Sequence, residues 1–145
     1  MNLGVLRTYR AQLEERLQAE FRQLQQALDD AQAFRARLEH DEAQHAHIWL
    51  EKTTAGILPG EAGDYAAALD TLAGQIAQQK KKEAGLRAAL DQKRMEMLEA
   101  TKERKKIEIL EDRERRETVR ELERREQDVT DEIAGRRSFT QEDAA

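Results

Sequence analysis

The chain has 145 residues, of which 38% are charged and only six are aromatic, and its net charge is −5. This is too polar for a compact globule but typical of long helices that bury one seam, and the periodic recurrence of apolar residues argues against disorder. The absence of cysteine excludes disulfide and thiolate chemistry, and the negative balance gives no global attraction to nucleic acid or anionic lipid.

The opening MNLGVLRTYR lacks the apolar core of a secretory signal, and no run approaches the ~18 apolar residues of a membrane span. The expectation is a cytoplasmic protein of one domain, 1–145, with no direct membrane insertion.

From Leu3 to Leu50 a heptad fits. Its a positions are Leu3, Arg10, Leu17, Leu24, Ala31, Leu38 and His45; its d positions are Leu6, Leu13, Glu20, Ala27, Phe34, Asp41 and Ile48. Ten of these fourteen are apolar, against 39% for the whole chain, so the register is well above background. A 3.5-residue repeat keeps one stripe facing a partner helix. Phe21, Leu28 and Trp49 fall on the neighbouring e position and widen that stripe.

The stretch Ala55–Gly63, AGILPGEAG, interrupts the helical pattern and holds the single proline and three of the seven glycines. Gly56 suits the left-handed residue that closes a helix. Pro59-Gly60 suits a tight turn, and Asp64 suits the cap of a new helix. The predicted layout is a helix over about 3–54, a turn at 55–63, a second helix over about 64–135 and a flexible tail at 136–145.

The second helix carries Tyr65, Leu69, Leu72, Ile76, Leu86, Leu90, Met97, Ala100 and Ile107 on its seam, with polar Gln79, Glu83, Lys93 and Arg104 between them. Polar seam positions fix register and cost stability. After Leu110 the stripe stops across EDRERRET and resumes thinly at Val119, Leu122, Val129 and Ile133. Glu111/Arg115, Asp112/Arg116 and Glu121/Arg125 are i,i+4 pairs in the favourable order. Gly135 is the expected stop. At 1.5 Å per residue the arms measure ~75 Å and ~105 Å, so an antiparallel fold sets residue 3 near residue 115 and leaves an overhang.

The fold class is therefore all-α, an antiparallel two-helix coiled-coil hairpin with a longer second helix. His40, His45 and His47 lack the i,i+3 or i,i+4 spacing that shares one ion, so no metal site is predicted. Residues 80–106 carry ten Lys or Arg against five Asp or Glu, which fits an acidic protein partner or a solvated face better than phosphate, since no aromatics are interleaved for base stacking. No phosphate loop, nucleophile motif or enclosed carboxylate pair appears, so neither catalysis nor a cofactor is expected.

Several features together resemble a known family. These are the length, the Gly-containing turn with Gly56 and Tyr65 nine apart, and the stretch Glu103-Arg-Lys-Lys-Ile-Glu-Ile-Leu110. The Arg/Glu-rich run ending Asp131-Glu132-Ile133-Ala134 completes the set. The chain resembles the FliJ/YscO family of bacterial flagellar and type III export machines over nearly its whole length. The resemblance implies a non-catalytic, cytoplasmic stalk, peripherally associated with the membrane-bound export apparatus. Its implied partners are a hexameric export ATPase, the export gate and export chaperones, with no nucleic acid. In the family the end bearing both termini enters the ATPase, and here the overhang residues Val119, Leu122, Arg125, Val129 and Ile133 are expected to make that contact. By position, the gate-facing flank includes Leu38, Asp41, His45 and Leu72. A generic scaffold that pairs its arms between chains, and a holdase resembling prefoldin, are the competing classes.

Overall fold

The computed structural model describes residues 2–144, with side chains described for 2–140. Two α-helices, α1 (Leu3–Ala55) and α2 (Pro59–Ala144), pack against each other as an all-α hairpin whose second helix is the longer. The chain divides into two compact units, Leu13–Glu99 and the pair of segments Met1–Gln12 and Ala100–Ala145.

Helix α1 begins at Asn2, whose side-chain Oδ1 accepts from the Val5 amide at 3.4 Å. Asparagine is a favoured cap because its short side chain reaches the unpaired amides of the first turn. The helix ends at Gly56, the one described residue with positive φ, at 96°. A Cβ would strain that conformation, so glycine at this point is a requirement of the turn.

The connection is shorter than the sequence suggests. Pro59 does not form the corner of a tight turn; it is the first residue of α2, and the Ala62 amide bonds the Leu58 carbonyl at 3.1 Å. Proline suits this position because its ring presets helical φ and its missing N–H has no partner to lose. Asp64, expected as the cap, therefore lies exposed inside the helix, and Glu61 supplies the acid of the first turn. The expected tail is also helical. Gly135 keeps helical geometry, Arg136 pairs with Glu132 at 3.1 Å, and the Thr140 hydroxyl donates to the Arg136 carbonyl at 2.8 Å. Ala145 lies outside the described residues.

On α2 the predicted stripe is the observed one. Ile76, Leu90, Ala100 and Ile107 are buried, and the polar positions Gln79, Lys93 and Arg104 are half-buried among them. On α1 the register changes. Leu3, Leu17, Ala31 and Leu38 are buried as expected, but beyond Ala27 the d positions turn outward: Phe34 is 44% exposed, Ile48 is 40% exposed, and Asp41 is exposed too. The e positions replace them, with Leu28 buried and Arg35, Glu42 and Trp49 half-buried. A straight α-helix drifts by ~20° per heptad against a strict seven-residue repeat, and a four-residue step at 24→28 resets the stripe. Leu28 is thus part of the seam, not its flank, while Phe21 stays half-buried beside it.

This change of register yields a direct test. In urea denaturation, Leu28→Ala should cost about 2–3 kcal/mol, whereas Phe34→Ala should cost less than about 1 kcal/mol because that ring already meets water. A larger loss at Phe34 would return the d position to the seam.

Candidate functional site

The seam of the Leu13–Glu99 unit is crossed by charge. Arg35 Nε donates to Glu83 Oε2 at 2.6 Å, and Arg35 Nη1 donates to Glu39 at 3.0 Å. Glu83 is only 1% exposed, the most enclosed large side chain among the described residues. Its second oxygen faces Arg87 at 3.8 Å. One step along, Lys93 Nζ reaches Glu20 at 2.6 Å and Glu96 at 3.0 Å. The Arg94 guanidinium lies over the Phe21 ring at 5.4 Å, and Lys52 lies over Tyr65 at 5.1 Å near the turn. In the other unit, Arg7 pairs with Glu111 at 3.3 Å. Glu111 therefore bonds across the hairpin and not to Arg115, which pairs with Asp112 instead. The predicted Glu121–Arg125 pair forms at 3.0 Å.

These contacts move the titrations of their members. The hydrogen bond from Lys93, and then the charges of Lys93 and Arg16, hold the Glu20 carboxyl below its ordinary range against the opposing effect of burial. The same contact, with Glu96 second, raises Lys93. Lys106 lowers Glu103 in the same manner, and the charge of Arg10 adds to it. Glu83 and then Glu39 raise Arg35.

Past Glu111 the second helix buries none of its described side chains. Every residue from 112 to 140 is exposed, including Val119, Leu122, Arg125, Val129 and Ile133. Four of these are apolar and recur at 3-, 7- and 4-residue steps, which places them on one face of the helix. Val119 lies closest to α1: it lines a groove with Asn2, Leu3, Gly4, Arg7 and Glu111. Arg125 is turned to Glu121 on its own helix.

The second predicted set is spread differently. Leu38 is buried in the seam, His45 and Leu72 are half-buried, and Asp41 is exposed. His45 Nδ1 lies 2.9 Å from the Asp41 carbonyl oxygen, so these two are joined through the backbone of one helical turn. His47 pairs with Glu51 at 3.0 Å. Among the described residues no His, Asp or Glu cluster could hold a metal ion, and no helix is long and apolar enough to cross a membrane. Arg35 is the seam residue that the α1 heptad misses. Its signal was available from α2: in an antiparallel pair with residue 3 near 115, the polar seam position Glu83 projects onto residue 35.

A lowered carboxyl pKa contributes stability above its unfolded value and loses it as pH falls through the folded value. Glu20 and Glu103 both have lowered values, so the melting temperature should fall between about pH 5 and pH 3. Glu20→Gln should melt lower than the parent at neutral pH and show a shallower acid decline. Parallel declines for the two chains would remove the Glu20–Lys93 contact from the account.

A family model described as "Flagellar FliJ protein" matches residues 2–143. No curated protein and no solved structure matches the chain.

Proposed function

The chain belongs to the flagellar FliJ protein family, and from that premise we propose that it is the non-catalytic stalk of an export ATPase. In this reading the unpaired part of α2 enters the central opening of a hexameric ring and biases the conformations of its subunits. A stalk changes turnover only through unequal affinity for those conformations. The chain acts on the cytoplasmic side of the export apparatus and also meets the export gate and export chaperones.

The exposed stripe Val119, Leu122, Val129 and Ile133 on a helix without a partner supports this reading most strongly. A helix that only had to stay solvated would gain nothing from four apolar side chains on one face. The surrounding Arg and Glu side chains suit a polar channel. Their pairs with neighbours on the same helix, such as Arg125–Glu121 and Arg136–Glu132, are individually weak and can be exchanged for contacts to a ring subunit. For the gate, exposed Asp41 and half-buried His45 and Leu72 offer side chains to a partner. Leu38, at 7% exposure, would contribute by shaping the seam beneath them.

Truncation after Thr118 tests the reading. The seam ends before that point, so the shortened chain should keep its helicity per residue and its thermal transition. It should nevertheless lose stimulation of the purified export ATPase, and Val119→Asp with Leu122→Asp should imitate the loss. Full stimulation by the truncated chain, at demonstrated binding, would move the ring contact away from residues 119–133.

A further inference from the structure

Within the Leu13–Glu99 unit, α2 carries a second stripe that the hairpin does not use. Ala84, Ala88, Asp91, Met95 and Leu98 recur at alternating four- and three-residue steps, and all are exposed. They lie about 120° around the helix from the seam positions Glu83, Leu86, Leu90 and Met97. Met95 is 67% exposed and Leu98 is 59% exposed, which is unusual for two large apolar side chains one turn apart. The alanines below them leave room for a close approach by another helix.

The charge around this stripe is one-sided once the structure has assigned its pairs. Among the acids of residues 80–99, Glu83 is enclosed against Arg35, Glu96 is held by Lys93, Asp91 is held by Arg94, and exposed Glu99 lies past the far end of the strip from the lysines. Lys80, Lys81 and Lys82 are exposed and have no ion pair among the described residues. Arg87, also exposed, lies 3.8 Å from the already engaged Glu83. The face therefore offers a short apolar strip next to three lysines with no acid to meet them.

We propose that the Lys80–Leu98 face of α2 is a docking strip for an acidic amphipathic helix of a partner protein. The partner's apolar positions would cover Met95 and Leu98, and its carboxylates would meet Lys80, Lys81 and Arg87. Helix-on-helix docking matches the heptad spacing of the strip, since equal periods keep both faces in contact over several turns. The proposal is separate from the ring contact, which lies on residues 119–133.

The chain's methionines, at positions 1, 95 and 97, provide the readout. Met95 is on the strip, and Met97 is half-buried on the seam and serves as an internal control. The full chain, labelled with ¹³C at the methionine methyls, is titrated with a synthetic helix of about three heptads. The probe has leucine at a and d and glutamate at the remaining positions. Saturable movement of the Met95 signal with Met97 unchanged is expected, and a lysine version of the same peptide should leave both in place. Lys80→Glu with Lys81→Glu should weaken binding about tenfold or more, because two attractions become repulsions. Leu98→Asp should abolish binding without altering the melting temperature, since its side chain is exposed. Absence of a saturable Met95 shift, or equal shifts with both peptides, would overturn the proposal. A Met95 shift with vesicles of phosphatidylcholine and about one-third phosphatidylglycerol, but not with the acidic peptide, would also overturn it and assign the strip to a lipid surface.

Discussion

The alignment of the two helices depends on a carboxylate that has been taken out of water. Glu83 is 1% exposed, and its Oε2 accepts from Arg35 at 2.6 Å. Desolvating such a pair costs several kcal/mol per ion, and the attraction between the partners roughly offsets this. Replacing both residues with apolar ones would be neutral or even stabilising. What the pair contributes is register. A slip of one heptad would set Glu83 against Leu28 or Glu42, and Lys93 against Leu13 or Ala27. Leaving one buried charge without its counterpart costs about 3–5 kcal/mol, so these slipped alignments are strongly disfavoured where an all-leucine seam would tolerate them.

Register in turn decides which parts of α2 have no partner. With Arg7 on Glu111, α1 is close to its start at Leu3, and residues 112–140 are all exposed. The apolar stripe at 119–133 is exposed because α1 begins at Leu3 and reaches only the groove beside Val119. The lysines at 80–82 are left without acids for a related reason: the nearest carboxylates are already used in or beside the seam. The ion pairs that align the hairpin thus also determine which charges and apolar groups it shows to partners.

Much of this was legible in the sequence, most clearly on α2. Its seam keeps a strict seven-residue repeat from Tyr65 to Ile107, and the polar positions Gln79, Glu83, Lys93 and Arg104 could be read within it. Helix α1 was fully legible only as far as Leu24; beyond it the a positions Ala31 and Leu38 held and the d positions after Ala27 did not. Beyond that point two stripes, Ala27/Phe34/Ile48 and Leu28/Trp49, compete, and apolarity alone favours the one with three apolar residues over the one with two. The charge on Arg35 resolves the choice, but only once its partner across the hairpin is known. At the turn, Pro59-Gly60 satisfies both a tight corner and a helix start, and local propensity does not separate them. Gly135 likewise reads as a stop, yet a glycine in a long charged helix is overcome by flanking pairs such as Arg136–Glu132. The overhang and its stripe were visible in the sequence.

Buried cross-helix charge sets the alignment, and the chain lends itself to a direct test because it has no cysteine to remove. Spin labels at the exposed positions Gln26 and Gln92 report the spacing of the two arms by pulsed dipolar spectroscopy. The parent chain should give one narrow distance distribution that persists when labelled chains are diluted with unlabelled ones. Arg35→Glu should broaden or split that distribution, and Arg35→Glu combined with Glu83→Arg should make it narrow again at the original mean. An unchanged narrow distribution in Arg35→Glu would show that the apolar seam sets the register without the buried pair.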